Sequence, residues 1–253
     1  MMKNLSKSIL ILSIVSSGYA APIPSSETTL DSSLSSFLQK PLEQRVDVLK
    51  NDKIQLDLVE KMAFDSKYHL KQRWTAFRTL ASLENNHAKK LIKKAVKSNE
   101  WFLRDAAIKN AAQYYPKAAL RISRSLITDP SLIVRTTAVK VIHRLKDYQS
   151  EDLLWRELDS KKNFRKGKSL WIRKHIAKAL YDFGVHNKTN NKELSEERIK
   201  KLLSLMEDDE KQVQFYALKS LNSFVSSSVS DEKAPIETQV RRWQAWANQS
   251  GIY

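Results

Sequence analysis

The sequence predicts an all-α chain of stacked helix pairs, and three observations carry that expectation. Only four glycines and six prolines occur in 253 residues, which favours long helices over a turn-rich β architecture. Apolar residues recur at offsets of three, four, seven and ten from a series of anchor positions, and such offsets share one helical face. The series itself recurs down the chain, the mark of a repeat architecture.

Taken in order, the chain opens with Lys3 and Lys7 ahead of an apolar run from Ile9 to Val15, then Gly18, Tyr19 and Ala20. This reads as a secretory signal peptide over 1–20, so a periplasmic or secreted protein is expected. The run is too short to span a bilayer, and no later stretch reaches the roughly 20 apolar residues that a transmembrane segment needs. Residues 21–40 are expected to be a flexible leader, because Ser25, Ser26, Ser32, Ser33, Ser35 and Ser36 stand there with Pro22 and Pro24. The structured body is placed at 41–225 and a second Ser-rich linker at 226–235. In the last segment, 236–253, Ile236, Val240, Trp243 and Ala247 form one helical stripe with Trp246 beside it, which predicts a capping helix.

Within the body the anchors are Arg73, Arg104, Arg135 and Arg173, with Gln214 in the fifth copy. Three residues on stand Ala76, Ala107, Ala138, Ile176 and Ala217; seven on stand Leu80, Ala111, Ile142, Leu180 and Leu221. A small residue at plus three lets neighbouring helices approach closely. Asp129 with Pro130, and Asp208 with Asp209, are expected to start the anchor helices as N-caps, about five residues before each anchor. An amphipathic segment precedes each anchor helix, so each unit is a pair of antiparallel helices that must stack on its neighbours to cover its apolar faces. Basic residues dominate the loop 161–168, which is expected to be mobile or an extension of a binding surface, and 186–192 is expected to be a second loop.

This pattern resembles HEAT repeats, in the short form of phycobilin lyase-type proteins. Asp129, Arg135 and Ala138 match that family's Asp, Arg and Ala, Ile142 stands in its leucine slot, and Gly184 fits a glycine that closes the second helix. Lys67, Ser98 and Gly167 stand where the Asp is missing, and the fifth copy keeps Asp208 while replacing Arg with Gln214. The likeness covers roughly residues 53 to 225. It implies a right-handed α-solenoid of about five HEAT-like pairs with a C-terminal capping helix.

The formal charge of +16, from 44 Lys plus Arg against 28 Asp plus Glu, should draw polyanions. Cysteine is absent, which excludes disulfides, thiolate catalysis and cysteine-ligated metals. No two of the five histidines fall at i, i+4, and Glu84-x-x-His87 occurs once where a di-iron bundle needs two such pairs. With no glycine-rich phosphate loop and no G-x-S-x-G turn, neither a catalytic residue, a metal nor a cofactor is expected.

At plus five from each anchor stands a cation: Arg78, Lys109, Lys140, Lys178 and Lys219. That position lies about 150° from the buried stripe and should face solvent, on the concave side if the resemblance holds. Lys174, Trp74, Phe102, Trp171, Phe215 and Tyr216 are expected beside it, giving a basic face interleaved with aromatics. Its charge alone is also what a solvated helix face carries. The leading expectation is a monomeric, non-catalytic scaffold that binds an acidic protein or an anionic envelope polymer. The alternative is a HEAT-like alkylpurine DNA glycosylase, whose aromatic-arginine helix starts resemble Trp171-Ile172-Arg173 and Trp101-Phe102-Leu103-Arg104. Export disfavours nucleic acid, and no residue matches that family's catalytic carboxylate. A phycobilin lyase-like role follows only from the repeat subtype.

Overall fold

The computed structural model describes residues 26–189, 194–225 and 228–252 and is all-helical, with one small hairpin. Among the described residues the helices are α1 (Ser26–Gln39), α2 (Leu42–Asn51), α3 (Lys53–Phe64), α4 (Leu70–Ala81), α5 (Asn86–Val96), α6 (Trp101–Tyr114) and α7 (Pro116–Leu126). They continue with α8 (Leu132–Arg144), α9 (Glu151–Leu158), α10 (Ile172–Thr189), α11 (Glu196–Leu205), α12 (Lys211–Phe224) and α13 (Ile236–Gln249). The expected signal peptide lies outside the described residues. None of the described helices is long and apolar enough to cross a membrane.

Sequential helices pack in pairs, α3 on α4, α5 on α6, α7 on α8, α9 on α10 and α11 on α12. The second helices also touch one another in a row, α4 to α6 to α8 to α10 to α12. Ala76, Ala107, Ala138, Ile176 and Ala217 are all buried in this row, as are Leu80, Ala111, Ile142, Leu180 and Leu221 seven residues after the anchors. The period read from the sequence is therefore the period of the core, because one side chain in three or four must face the neighbouring helices.

The four anchor arginines are buried, and each reaches forward to the segment that joins the two helices of the next pair. Arg73 donates from Nη1 to Glu100 Oε1 at 3.0 Å. Arg104 grips Asp129 with two bonds, Nε to Oδ2 at 2.6 Å and Nη2 to Oδ1 at 2.8 Å. Arg135 donates to Asn163 Oδ1 at 3.0 Å and to the Lys162 carbonyl at 2.7 Å, and Arg173 binds Asp208. Arg104 and Arg135 also reach back to the carbonyls six and five residues earlier, Ser98 and Asn99 for the one, Asp129 and Pro130 for the other. Gln214 repeats the first of these bonds with the Asp208 carbonyl at 2.7 Å.

These bonds correct the expected helix starts. Helix α8 begins at Leu132 behind Ser131, and α12 begins at Lys211 behind Glu210, so neither Asp129 nor Asp208 is an N-cap. Each carboxylate is instead held by the preceding arginine, and it accepts the backbone N–H two residues on, that of Ser131 or Glu210. Helices α4, α6, α8 and α12 start three residues before their anchors, while α10 starts one residue before Arg173.

Three further expectations change. Within the Ser-rich leader, residues 26–39 form α1, which packs on α4 and buries Leu34 and Phe37; these two apolar residues share a face three apart and outweigh the serines around them. Loop 161–168 has secondary structure of its own: it is a 3₁₀ turn and an antiparallel hairpin pairing Phe164–Arg165 (β1) with Lys168–Ser169 (β2). Its two-residue loop, Lys166 and Gly167, has positive φ at both positions, the arrangement that matches strand twist. Asn163, fully buried, fixes its base through the Glu157 carbonyl at 2.7 Å. Helix α10 runs on to Thr189, so the expected loop at 186–192 is helical in its first part, and Gly184 lies inside the helix instead of closing it. There a Cβ would stand 2.6 Å from the Phe224 ring, so the missing side chain lets α12 come close.

At the C-terminal end α13 lies against α12 with Trp243 and Ala247 fully buried. Asn222 ties the two helices together, accepting from Trp243 Nε1 at 2.8 Å and donating to Gln239 Oε1 at 3.1 Å. Replacing Arg104 by Met strands the Asp129 carboxylate in the interior and should lower stability by about 3–5 kcal/mol. Replacing the exposed Lys140 by Gln should change it by under about 0.5 kcal/mol, both read from urea unfolding.

Candidate functional site

The plus-five positions face solvent or its edge. Arg78, Lys109 and Lys140 are exposed, and Lys178 and Lys219 are half-buried. Their surroundings divide them. The Arg78 guanidinium sits 4.7 Å over the Trp74 ring, and Lys219 Nζ lies 4.8 Å from the Tyr181 centroid and 5.8 Å from that of Phe215. Lys109 is bound to Asp105 at 2.7 Å, and Lys178 to Asp182 at 2.6 Å with the Tyr216 ring 5.9 Å away. Lys140 has no carboxylate partner among the described residues.

The expected aromatic neighbours are present with one exception. Trp171 and Phe215 are exposed, while Trp74 and Tyr216 are half-buried. Phe102 is buried, with the Arg73 guanidinium 4.9 Å over its ring. The same offset from the anchor gives opposite outcomes at Phe102 and Trp171. Phe102 lies in the first turn of α6, under the arginine of the previous pair, whereas Trp171 precedes α10.

The structure brings part of this series together in a groove of about 1230 Å³ across α6, α8 and α10. Lys109, Lys140, Arg144 and Lys174 line it, with Trp171 at its wall and Thr136 and Thr137 also among its lining. No Asp or Glu lines it. Asp105 faces the same region but is spent on Lys109 and on the Thr137 hydroxyl, which donates to it at 2.6 Å. On the flank, Asp182 is shared between Lys178 and His143 Nε2, the latter at 2.7 Å. Lys140, Arg144 and Lys174 are thus left with no carboxylate partner among the described residues. The Trp171 indole is held in place by its N–H, which donates to Thr136 Oγ1 at 3.0 Å, so its exposed ring stands as a fixed plate beside the cations.

Comparison with known proteins adds little. No protein-family model and no curated protein matches this chain. Among solved structures it is similar to the crystal structure of an engineered protein from the Northeast Structural Genomics Consortium, at 14% identity over 84% of this chain and 92% of that one, with a TM-score of 0.44. A likeness of that extent carries no weight for function.

Two lining residues, Arg144 and His175, lay outside the sequence pattern. Arg144 is at plus nine from Arg135, where the other copies hold Ser82, Gln113, Asp182 and Ser223, so no periodicity marks it. His175 is half-buried, and its pKa lies below the ordinary value, first through burial and then through the charges of Lys140, Lys174 and His143. The folded protein therefore keeps this imidazole neutral at a pH where the unfolded chain protonates it. The unfolded state binds more protons as pH falls through about 6.5, and this group's contribution to stability declines over that range. No group of His, Asp and Glu among the described residues is placed to hold a metal ion.

His175 senses the groove's cations on top of its own burial. In a titration followed by NMR, the Lys140→Gln, Lys174→Gln double variant should raise the His175 pKa toward its ordinary value, and an unchanged midpoint would remove the cations as its cause.

Proposed function

We propose that this chain is an exported, non-catalytic HEAT-repeat scaffold, a right-handed α-solenoid of about five helix pairs capped by α13, that binds an anionic partner along the row of anchor helices. The observation carrying the binding reading is the groove in which Lys140, Arg144 and Lys174 converge without a carboxylate in the wall. Cations left unneutralised and held at one surface raise the local concentration of anions. A fixed indole beside them adds a flat apolar face. Acidic protein segments and anionic envelope polymers both fit this chemistry, and the groove's breadth over three helices suits an extended ligand.

The repeat reading is supported by the chain of helix pairs and by the arginines that link each anchor helix to the next turn. The export reading rests on Lys3, Lys7 and the apolar run that follows them. Lys109 and Lys178 have carboxylate partners of their own, so they are weaker contributors than the periodicity alone suggests.

Binding of polyglutamate, measured by fluorescence anisotropy, tests the groove. The Lys140→Gln, Arg144→Gln, Lys174→Gln variant should bind at least about tenfold more weakly with an unchanged melting temperature, and wild-type affinity should fall as salt rises. Equal affinity of variant and wild type refutes the groove as the binding face.

A further inference from the structure

A second basic surface, sharing no residue with the groove, lies on the outward side of α5 and α7. Helix α5 buries Ala88, Leu91, Ile92 and Ala95, while Lys89, Lys90, Lys93 and the C-cap residue Lys97 are exposed. On α7, Lys117 and Arg121 are exposed one helical turn apart. None of these six has a carboxylate partner among the described residues. Lys94 is the exception on this side: it lies 3.7 Å from Glu60 and 4.0 Å from the Phe64 centroid. Between the two helices runs a hollow of about 700 Å³, with Ile92, Ile122, Ala118 and Tyr115 in its lining and Lys89, Lys93, Lys117 and Arg121 around it. Lys89 Nζ stands 5.4 Å over the Tyr115 ring.

We propose that this α5–α7 face docks the protein on an anionic phospholipid bilayer. Clusters of four to eight Lys and Arg are drawn to anionic leaflets, each cation contributing about fivefold in partition. The geometry favours a bilayer over an acidic peptide. The cations spread across two helices and both sides of a hollow, so they meet a plane of many interchangeable anions without a register to satisfy. The groove offers a peptide an indole held by a hydrogen bond, whereas the hollow here is lined only by Lys and Arg, one tyrosine and apolar side chains. Long lysine stems can lie on apolar surface with their ammonium groups extended toward headgroups, and a tyrosine between them suits the same boundary. The groove on α6, α8 and α10 shares no residue with this face, so the two surfaces stand or fall separately.

Co-sedimentation of the full chain with vesicles decides this. Vesicles of phosphatidylglycerol mixed with phosphatidylcholine are compared with phosphatidylcholine alone, so that any uptake through apolar segments is common to both. Wild-type protein should partition preferentially onto the anionic vesicles. The Lys90→Gln, Lys93→Gln, Lys117→Gln, Arg121→Gln variant should lose at least about tenfold of that partition, with an unchanged circular-dichroism melt. The groove variant of the preceding section should keep it within about fivefold. Equal partition onto both vesicle types, a smaller loss in the outer-face variant, or an equal loss in the groove variant overturns the proposal. So does polyglutamate binding that depends on the outer-face residues when anionic vesicles show none.

Discussion

Four guanidinium groups buried between successive helix pairs set the spacing of the rest. Burying a charge is costly unless its hydrogen bonds are met, and each arginine finds part of them in the segment joining the helices of the next pair, Arg104, Arg135 and Arg173 finding the rest within their own. The consequence is directional: the acceptors are where they are needed only if the following pair sits in one position. The solutions differ in chemistry. Asp129 holds the Arg104 guanidinium and raises its pKa, whereas Arg135, whose partners are carbonyls and the Asn163 amide, has its pKa lowered by burial. Arg73 is the loosest of the four, since Glu100 is partly exposed and the arginine Nε is buried without a partner.

That arrangement explains the small departures from regularity. Where a hairpin replaces the short turn, Asn163 supplies the acceptor that an aspartate supplies elsewhere, and its burial anchors the hairpin that a list of five basic residues gave no reason to expect. The anchor then falls at the start of α10 instead of three residues inside it, which moves Trp171 out to the surface while Phe102, at the same offset, is turned in under Arg73. The groove is thus a by-product of an irregular unit. Its fixed indole comes from the late start of α10, and its cations come from neighbouring helices held by regular anchors.

The two basic surfaces differ in a way that net charge does not convey. On the anchor helices, acids are present but consumed: Asp105 by Lys109 and Thr137, Asp182 by Lys178 and His143. The remaining cations line one groove, and Lys140 and Lys174 add to the burial that lowers the His175 pKa. On α5 and α7 exposed cations surround an apolar hollow, and none has a carboxylate partner among the described residues except Lys94. A fixed ring beside cations suits one ligand held in place, and long-stemmed cations around apolar side chains suit a headgroup boundary.

The sequence by itself determined the helical class, the register of the buried rows and the exposure of Arg78, Lys109 and Lys140, because each follows from the 3.6-residue period and a face that must be buried. It also marked the stripe that buries Trp243 and Ala247. The pairing of Lys109 with Asp105 and of Lys178 with Asp182 was also within its reach, since each acid stands one turn away in the same helix. Only the tertiary structure decided which side chains gather in one groove and that Asp105 also takes the Thr137 hydroxyl of the next anchor helix. The same holds for Arg144, which no repeat position announces, and for Asp129 and Asp208, which look like helix caps in the sequence but are gripped from the preceding pair. Local periodicity fixes which side of a helix faces out, whereas the partners of the buried Arg104 and Arg173 lie some 25 to 35 residues away in the linear order and are met only when the pairs pack.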